Sequence, residues 1–278
     1  MRLSRVAKRV TRKAELIGRK ALTTPAALTF FPRASFSLQV LSVQREACML
    51  QDRRPRFAFE PETLFIWVPK AAGTSVFRWL NSAVALRFLN HVRVIESLAA
   101  DEIEKVKALT FGHMCIDSVV DYGYLRPETL QKTFSFAFVR NPYTRVVSVW
   151  RYLIRQGVVP HDWGLDRFVS QLVRQNPRAG LFNEISLSHG APMTNWIFQE
   201  SWPGPHQIYH FEELSESISQ LAEKLGVKER LPAENVGSYA RGEISLGHKT
   251  LTKLQSYYRL DFENFGYSYD PPKGLFKL

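Results

Sequence analysis

Two segments of the chain carry the residue types that hold phosphate: FIWVPKAAGTS at 65–75 and FVRNPYTRVVSVWRY at 138–152. Each passes from a β-branched and aromatic run, through a turn, into a helical pattern. Each therefore delivers cations, hydroxyls and backbone N–H groups to the carboxyl end of a strand. In the first, Gly73 permits close approach of the backbone to a ligand, and Thr74 and Ser75 open a helix whose first N–H groups have no partner inside it. With the point charge of Lys70, the run Lys70, Ala71, Ala72, Gly73, Thr74 and Ser75 reads as an anion cradle. In the second, Pro142 starts a helix where its missing N–H is not needed, and Arg145, Ser148 and Tyr152 share one helical face. Arg140 stands at the strand end, where its guanidinium fork can hold a phosphate through two parallel bonds. A cradle plus a fork suits a nucleotide phosphorylated at two separate positions. The first segment is not a G-x-x-x-x-G-K-[ST] loop, because Lys70 precedes Gly73 and no earlier glycine stands in the segment, so a magnesium–nucleoside triphosphate is not the expected ligand.

Together, Pro69-Lys70-x-x-Gly73-Thr74-Ser75 and Arg140-Asn141-Pro142-x-x-Arg145-x-x-Ser148 resemble the 5′-phosphosulfate and 3′-phosphate motifs of the sulfotransferases that use 3′-phosphoadenosine 5′-phosphosulfate (PAPS). YHFEEL at 209–214 and the run Tyr258-x-x-Asp261-Phe262-x-x-Phe265-Gly266-Tyr267 resemble later landmarks of the carbohydrate branch, in the same order. The resemblance spans roughly residues 60–270. The first fifty-odd residues have no counterpart in these motifs, and they lack the membrane-spanning anchor that Golgi members carry there. What the resemblance implies is a sulfuryl transfer that needs no metal and leaves 3′-phosphoadenosine 5′-phosphate (PAP). Lys70 would neutralise charge on the departing phosphate oxygen, with Gly73, Thr74 and Ser75 on the 5′-phosphate and Arg140 and Ser148 on the 3′-phosphate. Arg145 has two open readings: it joins the phosphate site, or it pairs with a carboxylate on its helix.

The implied acceptor is a hydroxyl of a carbohydrate or glycolipid, and that hydroxyl needs a base. The run TFGHM at 110–114 puts His113 at what reads as a strand's carboxyl end, and an imidazole titrating near neutrality suits the task. Its Gly-His pair resembles the catalytic histidine position of uronic acid 2-O-sulfotransferases. Rival bases are His210, Glu184, Asp117 and Asp121. Trp163, Trp196 and Trp202 either stack on the acceptor or fill the core. Tyr258, Phe262, Phe265 and Tyr267 have the spacing of core residues, and His248-Lys249 belong either to a closing loop or to the start of the last helix.

These residues must be held by a scaffold. Strands are expected at Leu64–Val68, Thr110–Gly112, Phe134–Val139 and Gln207–His210. Helices are expected at Thr74–Leu89, Ser97–Leu109 with Ser97 as cap, Pro142–Gln156, Leu165–Gln175, Glu212–Leu225 closed by Gly226, and Lys249–Phe262. Strands alternating with helices give an α/β fold: a P-loop-like parallel sheet flanked by helices on both faces, with ligands bound beyond the carboxyl ends of the strands. Residues 61–278 read as the nucleotide-binding catalytic domain and 1–60 as a basic, partly helical N-terminal extension.

Charge supports that division. Residues 1–20 hold eight Lys and Arg against Glu15 alone, a net +7 of the formal +11, which leaves the other 258 residues at +4. Leu3, Val6, Val10 and Ile17 fall on one stripe of that basic stretch, so it is either an amphipathic helix for an anionic membrane surface or a solvated tail. An Arg-rich, acid-poor start is also compatible with an organelle transit peptide. The mildly basic body has no nucleic-acid motif, so no nucleic-acid partner is expected. Residues 21–32 are broken by Pro25 and Pro32 and too short to span a bilayer. Cys48 and Cys115 make no disulfide framework and no metal-ligand spacing, which fits a cytoplasmic protein, peripheral at most to a membrane. The competing classes are an ATP-dependent kinase, disfavoured by the missing triphosphate loop, and a non-catalytic polyanion- or membrane-binding protein.

Overall fold

The computed structural model describes residues 58–177, 185–198, 202–228 and 244–277. Residues 1–57 of the basic extension, with its membrane reading, and the rival base Glu184 lie outside the described residues, while Phe59 is packed in the core. In chain order the first elements are β1 (Thr63–Ile66), α1 (Gly73–Val84), β2 (Arg87–Phe88), α2 (Val92–Glu96), α3 (Ala100–Glu104) and β3 (Ala108–Thr110). Then come α4 (Ile116–Asp121), α5 (Pro127–Lys132), β4 (Phe134–Val139), α6 (Pro142–Arg155), α7 (Leu165–Gln175), a 3₁₀ turn at Leu187–Gly190 and α8 (Thr194–Ile197). The last are β5 (Gln207–His210), a 3₁₀ turn at Phe211–Glu213 leading into α9 (Leu214–Leu225), β6 (Ile244–Ser245), α10 (His248–Tyr257), α11 (Arg259–Phe265) and β7 (Phe276–Lys277).

Five strands form one parallel sheet in the order β2-β3-β1-β4-β5, flanked by helices. A separate two-stranded pairing joins β6 to β7. The central strands read as unbroken apolar runs, TLFI and FSFAFV, because helices cover both faces of a parallel sheet. From β1 the chain moves outward to β2, returns to β3, then crosses to β4 on the other side of β1. The order thus reverses beside β1, and the crevice for a ligand opens at the carboxyl ends of β1 and its neighbours.

One apolar cluster holds the sheet faces, with Leu64, Phe65, Trp79, Val119, Phe136 and Phe138. A second joins α6 and α7 to the C-terminal helices through Tyr143, Phe168, Tyr258 and Phe262. Trp163, Trp196 and Trp202 are buried in these clusters, which resolves them as core rather than acceptor platform. Phe265 is core as well, whereas Tyr267 is half-buried and hydrogen-bonded, as described below.

Several boundaries differ from the sequence reading, among them β3, which begins at Ala108 inside the stretch expected to be helical to Leu109, and three have a plain local reason. Helix α1 stops at Val84 because Ala85 turns left-handed (φ 51°) and returns its N–H to the Leu80 carbonyl, which frees the chain to form β2. Ser97 does not cap a helix: its hydroxyl donates to the Val94 carbonyl at 2.8 Å. Helix α3 starts three residues later, where the Glu102 carboxylate accepts the Ala99 N–H at 3.0 Å. The final helix divides at Tyr258 into α10 and α11, and His248 opens α10 directly, with the Gly247 N–H held by both oxygens of Asp166 at 3.1 Å. Among the described residues no helix is long and apolar enough to cross a membrane.

Candidate active site

Three neighbouring strands of the sheet, β3, β1 and β4, each release one candidate residue at the carboxyl end: His113, Lys70 and Arg140. Two hydrogen bonds stitch these strand ends together. His113 Nδ1 lies 2.9 Å from the Trp67 carbonyl, and Arg140 Nη1 donates to the Lys70 carbonyl at 3.4 Å.

The β1–α1 turn contains two left-handed non-glycine residues, Lys70 (φ 65°) and Ala72 (φ 67°). Such backbone costs on the order of 1–3 kcal/mol per residue and persists only where packing over-determines it. Ala72 is the N-cap of α1 and offers no side-chain cap to the helix's first turn, which also contains no acidic residue. The amide end of α1 is therefore presented as a positive, uncapped surface. Gly73 is required sterically, since a Cβ there would lie 1.7 Å from Nε1 of the Trp67 indole. Thr74 is exposed, Ser75 half-buried.

Lys70 Nζ sits over the Tyr152 ring, 4.4 Å from its centroid. Burial first, then the nearby charges of Arg155 and Arg140, lower its pKa from 10.5 to about 8. A cation held at that cost is primed to gain from an anionic ligand. Ser148 lies half-buried on α6 between Arg145 and Tyr152, on the face that Tyr152 turns toward Lys70.

Arg140 and Arg145 occupy one motif and perform different tasks. Arg140 is 6% exposed, stacks on Phe211 with its Cζ 4.0 Å from the ring centroid, and donates from Nε to the Thr144 hydroxyl at 3.1 Å. Burial lowers its pKa to about 10 against the opposing pull of Glu212. Glu212 is itself engaged, accepting the Asn141 N–H at 2.9 Å and the Tyr267 hydroxyl at 2.9 Å. Arg145 is fully buried, and its guanidinium donates to the carbonyls of Pro69 (3.0 Å), Ala191 (3.0 Å) and His189 (2.8 Å). Neither open reading of Arg145 stands: it is a strut that joins the cradle loop to the segment before α8.

His113 follows Gly112, whose φ of 56° turns the chain under Phe88 and Asn90. A carbonyl only accepts, so the bond to Trp67 puts the proton of the neutral ring on Nδ1 and leaves a lone pair on Nε2. Burial is the main reason that its pKa falls to about 4, with Arg145 and Lys70 adding to the effect. The Trp67 ring meets His113 edge to face at 5.4 Å and stacks on Phe77 at 5.4 Å, and Phe88 touches both Trp67 and Phe77 at 5.4 Å. Trp67, Phe77 and Phe88 are all half-buried, so this aromatic triangle reaches the surface beside the histidine.

The rival bases stand elsewhere. His210 packs against Tyr267 at the end of β5, with ring centroids 5.2 Å apart, and Asp117 and Asp121 lie on α4. A residue absent from the sequence reading does enter: His189, in the 3₁₀ turn, has its ring 5.0 Å from that of His113 and 5.6 Å from that of Tyr152. Only an isolated Ser-His-Gly in an aperiodic stretch marks it in sequence.

Among solved structures, a sulfotransferase from Alicyclobacillus acidocaldarius is similar over 73% of this chain and 93% of that one, at 12% identity and a TM-score of 0.44. No curated protein matches the chain. Residues 56–268 match the family model described as the sulfotransferase family, a span that takes in the cradle, the Arg140 turn, His113 and the Glu212–Tyr267 contact, and the chain belongs to that family.

Proposed function

We propose that this chain transfers the sulfuryl group of PAPS to a hydroxyl of a carbohydrate or glycolipid acceptor. The observation that carries the reading is the adjacency of the two phosphate motifs. Arg140 and Lys70 leave paired strands, β4 and β1, and touch through Arg140 Nη1 and the Lys70 carbonyl. Two cations with depressed pKa values, side by side at a sheet's switch point, suit a ligand with phosphates on two positions of one nucleoside.

The residues fit that ligand by their own chemistry. Gly73 lets the Trp67 indole pack against the turn, and the uncapped start of α1 offers its amides to an oxyanion, with Thr74 and Ser75 supplying hydroxyls there. Arg140, set by Phe211 and Thr144, presents its fork to the 3′-phosphate together with Ser148. Lys70 neutralises charge on the leaving phosphate oxygen, a preorganised electrostatic task that adds no metal to the site's requirements. His113 takes the acceptor proton at Nε2, while the Trp67 carbonyl holds Nδ1–H and so orients the ring. Its low basicity in the ligand-free protein comes from burial and neighbouring cations, and the negative charge of a bound donor opposes the second cause. The half-buried triangle of Trp67, Phe77 and Phe88 beside His113 offers the apolar face of a sugar ring its stacking surface.

The test is calorimetric binding of PAP against ADP, both without magnesium. Tight PAP binding with weak ADP binding is the expected result. Equal affinities, or binding that requires magnesium and a triphosphate, would move the kinase reading to the front.

A further inference from the structure

The backbone around the 3₁₀ turn at Leu187–Gly190 is fixed on all sides. The Ser186 hydroxyl accepts the Ser188 N–H at 3.3 Å, Arg145 donates to the carbonyls of His189 and Ala191, and the Tyr258 hydroxyl donates to the Gly190 carbonyl at 2.6 Å. The His189 imidazole in the middle of this clamp is 4% exposed, and its enclosed Nδ1 makes no hydrogen bond of normal geometry among the described residues, although the Ser186 carbonyl lies near enough to favour the protonated ring. A buried histidine that serves only the fold normally has its nitrogens paired. This ring instead packs against two site residues. One is His113. The other is Tyr152, whose ring also carries Lys70 Nζ.

His189 thus touches the group that would receive the acceptor proton and packs on the Tyr152 ring that carries the group that would neutralise the leaving oxygen. In an in-line displacement, charge spreads over three peripheral oxygens of the group in flight. Lys70 serves one end of that line and His113 the other, which leaves the peripheral oxygens in need of a donor from the side. We propose that His189 is that donor, a second imidazole that hydrogen-bonds the sulfuryl group itself; this role rests on the PAPS reading given above.

The groups facing the ring support it. Burial, then His113, Arg145 and Lys70, lower its pKa to about 3, while the Ser186 carbonyl favours the protonated ring, and Tyr152 packs on it through its own ring. An anionic sulfuryl group between Lys70 and His113 offsets the charges of Arg145 and Lys70 and favours an N–H of the ring turned toward it.

PAP and PAPS differ by the sulfuryl group alone, so no acceptor is needed for the test. Imidazole ¹⁵N spectra of the full chain are recorded with PAP and then with PAPS, and H189N identifies the His189 resonances. The expected result is a His189 shift with PAPS that PAP does not produce. In parallel, H189F is expected to weaken PAPS about tenfold, as loss of one hydrogen bond to a charged group does, while leaving PAP affinity unchanged, with H189N intermediate. Identical spectra with the two nucleotides, or unchanged PAPS affinity in both variants, would overturn the proposal. Should H189F lose PAP affinity and thermal stability together, the spectra and H189N decide alone. If the wild-type chain binds PAP but its His189 signals ignore PAPS, only this inference falls. If it binds neither nucleotide, the PAPS reading falls and this role goes with it.

Discussion

The β1–α1 and β4–α6 turns share one topology and solve the same problem from opposite sides. In the first, backbone does the binding: two left-handed residues and Gly73 open the amide end of a helix that no side chain caps. In the second, the helix end is closed, with Pro142 at its start, the Asn141 side chain accepting the Tyr143 N–H at 3.0 Å, and the Asn141 N–H given to Glu212. What the second turn offers is a guanidinium. A strand-to-helix turn can therefore present either its amides or a side chain to an anion, and the presence or absence of a capping side chain tells which.

That contrast is sharpest at Lys70. Lys70→Ala should lower turnover with PAPS by about 10²–10³-fold, the usual cost of removing a transition-state electrostatic partner; unchanged turnover would remove Lys70 from the chemistry. Arg145→Ala should destabilise the fold by about 3–5 kcal/mol, measured by urea unfolding, because three buried carbonyls lose their donor at once. Arg140→Ala should instead leave stability nearly unchanged and weaken PAP by roughly 2–3 kcal/mol while sparing ADP. Equal loss of stability in both variants would mean that the two arginines do not divide the labour of strut and ligand. Asn141→Ala should cost about 1 kcal/mol of stability through the lost cap, with no counterpart at Ala72.

Changes of pH should act on the two halves of the site with opposite signs. The Lys70 ammonium loses its proton above about pH 8 in the free protein, so PAP affinity should fall as pH rises past that point, and Lys70→Ala should flatten the profile. For His113 and His189 the sign is opposite. Their folded pKa values, about 4 and about 3, lie below the ordinary 6.5, so they stay neutral in the fold and become charged on unfolding. Their stabilising contribution is complete above pH 6.5 and is lost as pH falls through 4 and 3. A Tm that does not drop between pH 6.5 and 4 would contradict it.

Elements with strong periodicity were legible in sequence: Phe134–Val139, Leu165–Gln175 and Gln207–His210 have the bounds that pattern alone predicts. The two-residue β2 was hidden, since the helical pattern of α1 runs on into it and only the left-handed Ala85 divides them. At the site, Lys70 and Arg140 were legible because each follows a recognisable strand, whereas β3 before His113 was legible only in part, two of its three residues reading as the end of the preceding helix. Arg145 was not, because its partners Pro69, His189 and Ala191 are distant in sequence and are backbone carbonyls, which leave no trace in side-chain type. His189 escaped for a related reason: its turn has no period to betray a burial that tertiary contacts alone impose.

The last helix sets the order in which this site can assemble as the chain leaves the ribosome. Asp261, fully buried, accepts the backbone N–H groups of Met193 and Thr194 and the Thr194 hydroxyl at 2.7–2.9 Å, and Tyr267 completes the Glu212 bridge behind Arg140. Contacts of such long sequence separation form late in folding. A nascent chain that already displays Lys70, His113 and Arg140 still lacks the anchors of the 187–197 segment, so the anion site should mature only when the final helix docks, and translation products cut short before Asp261 should be inert.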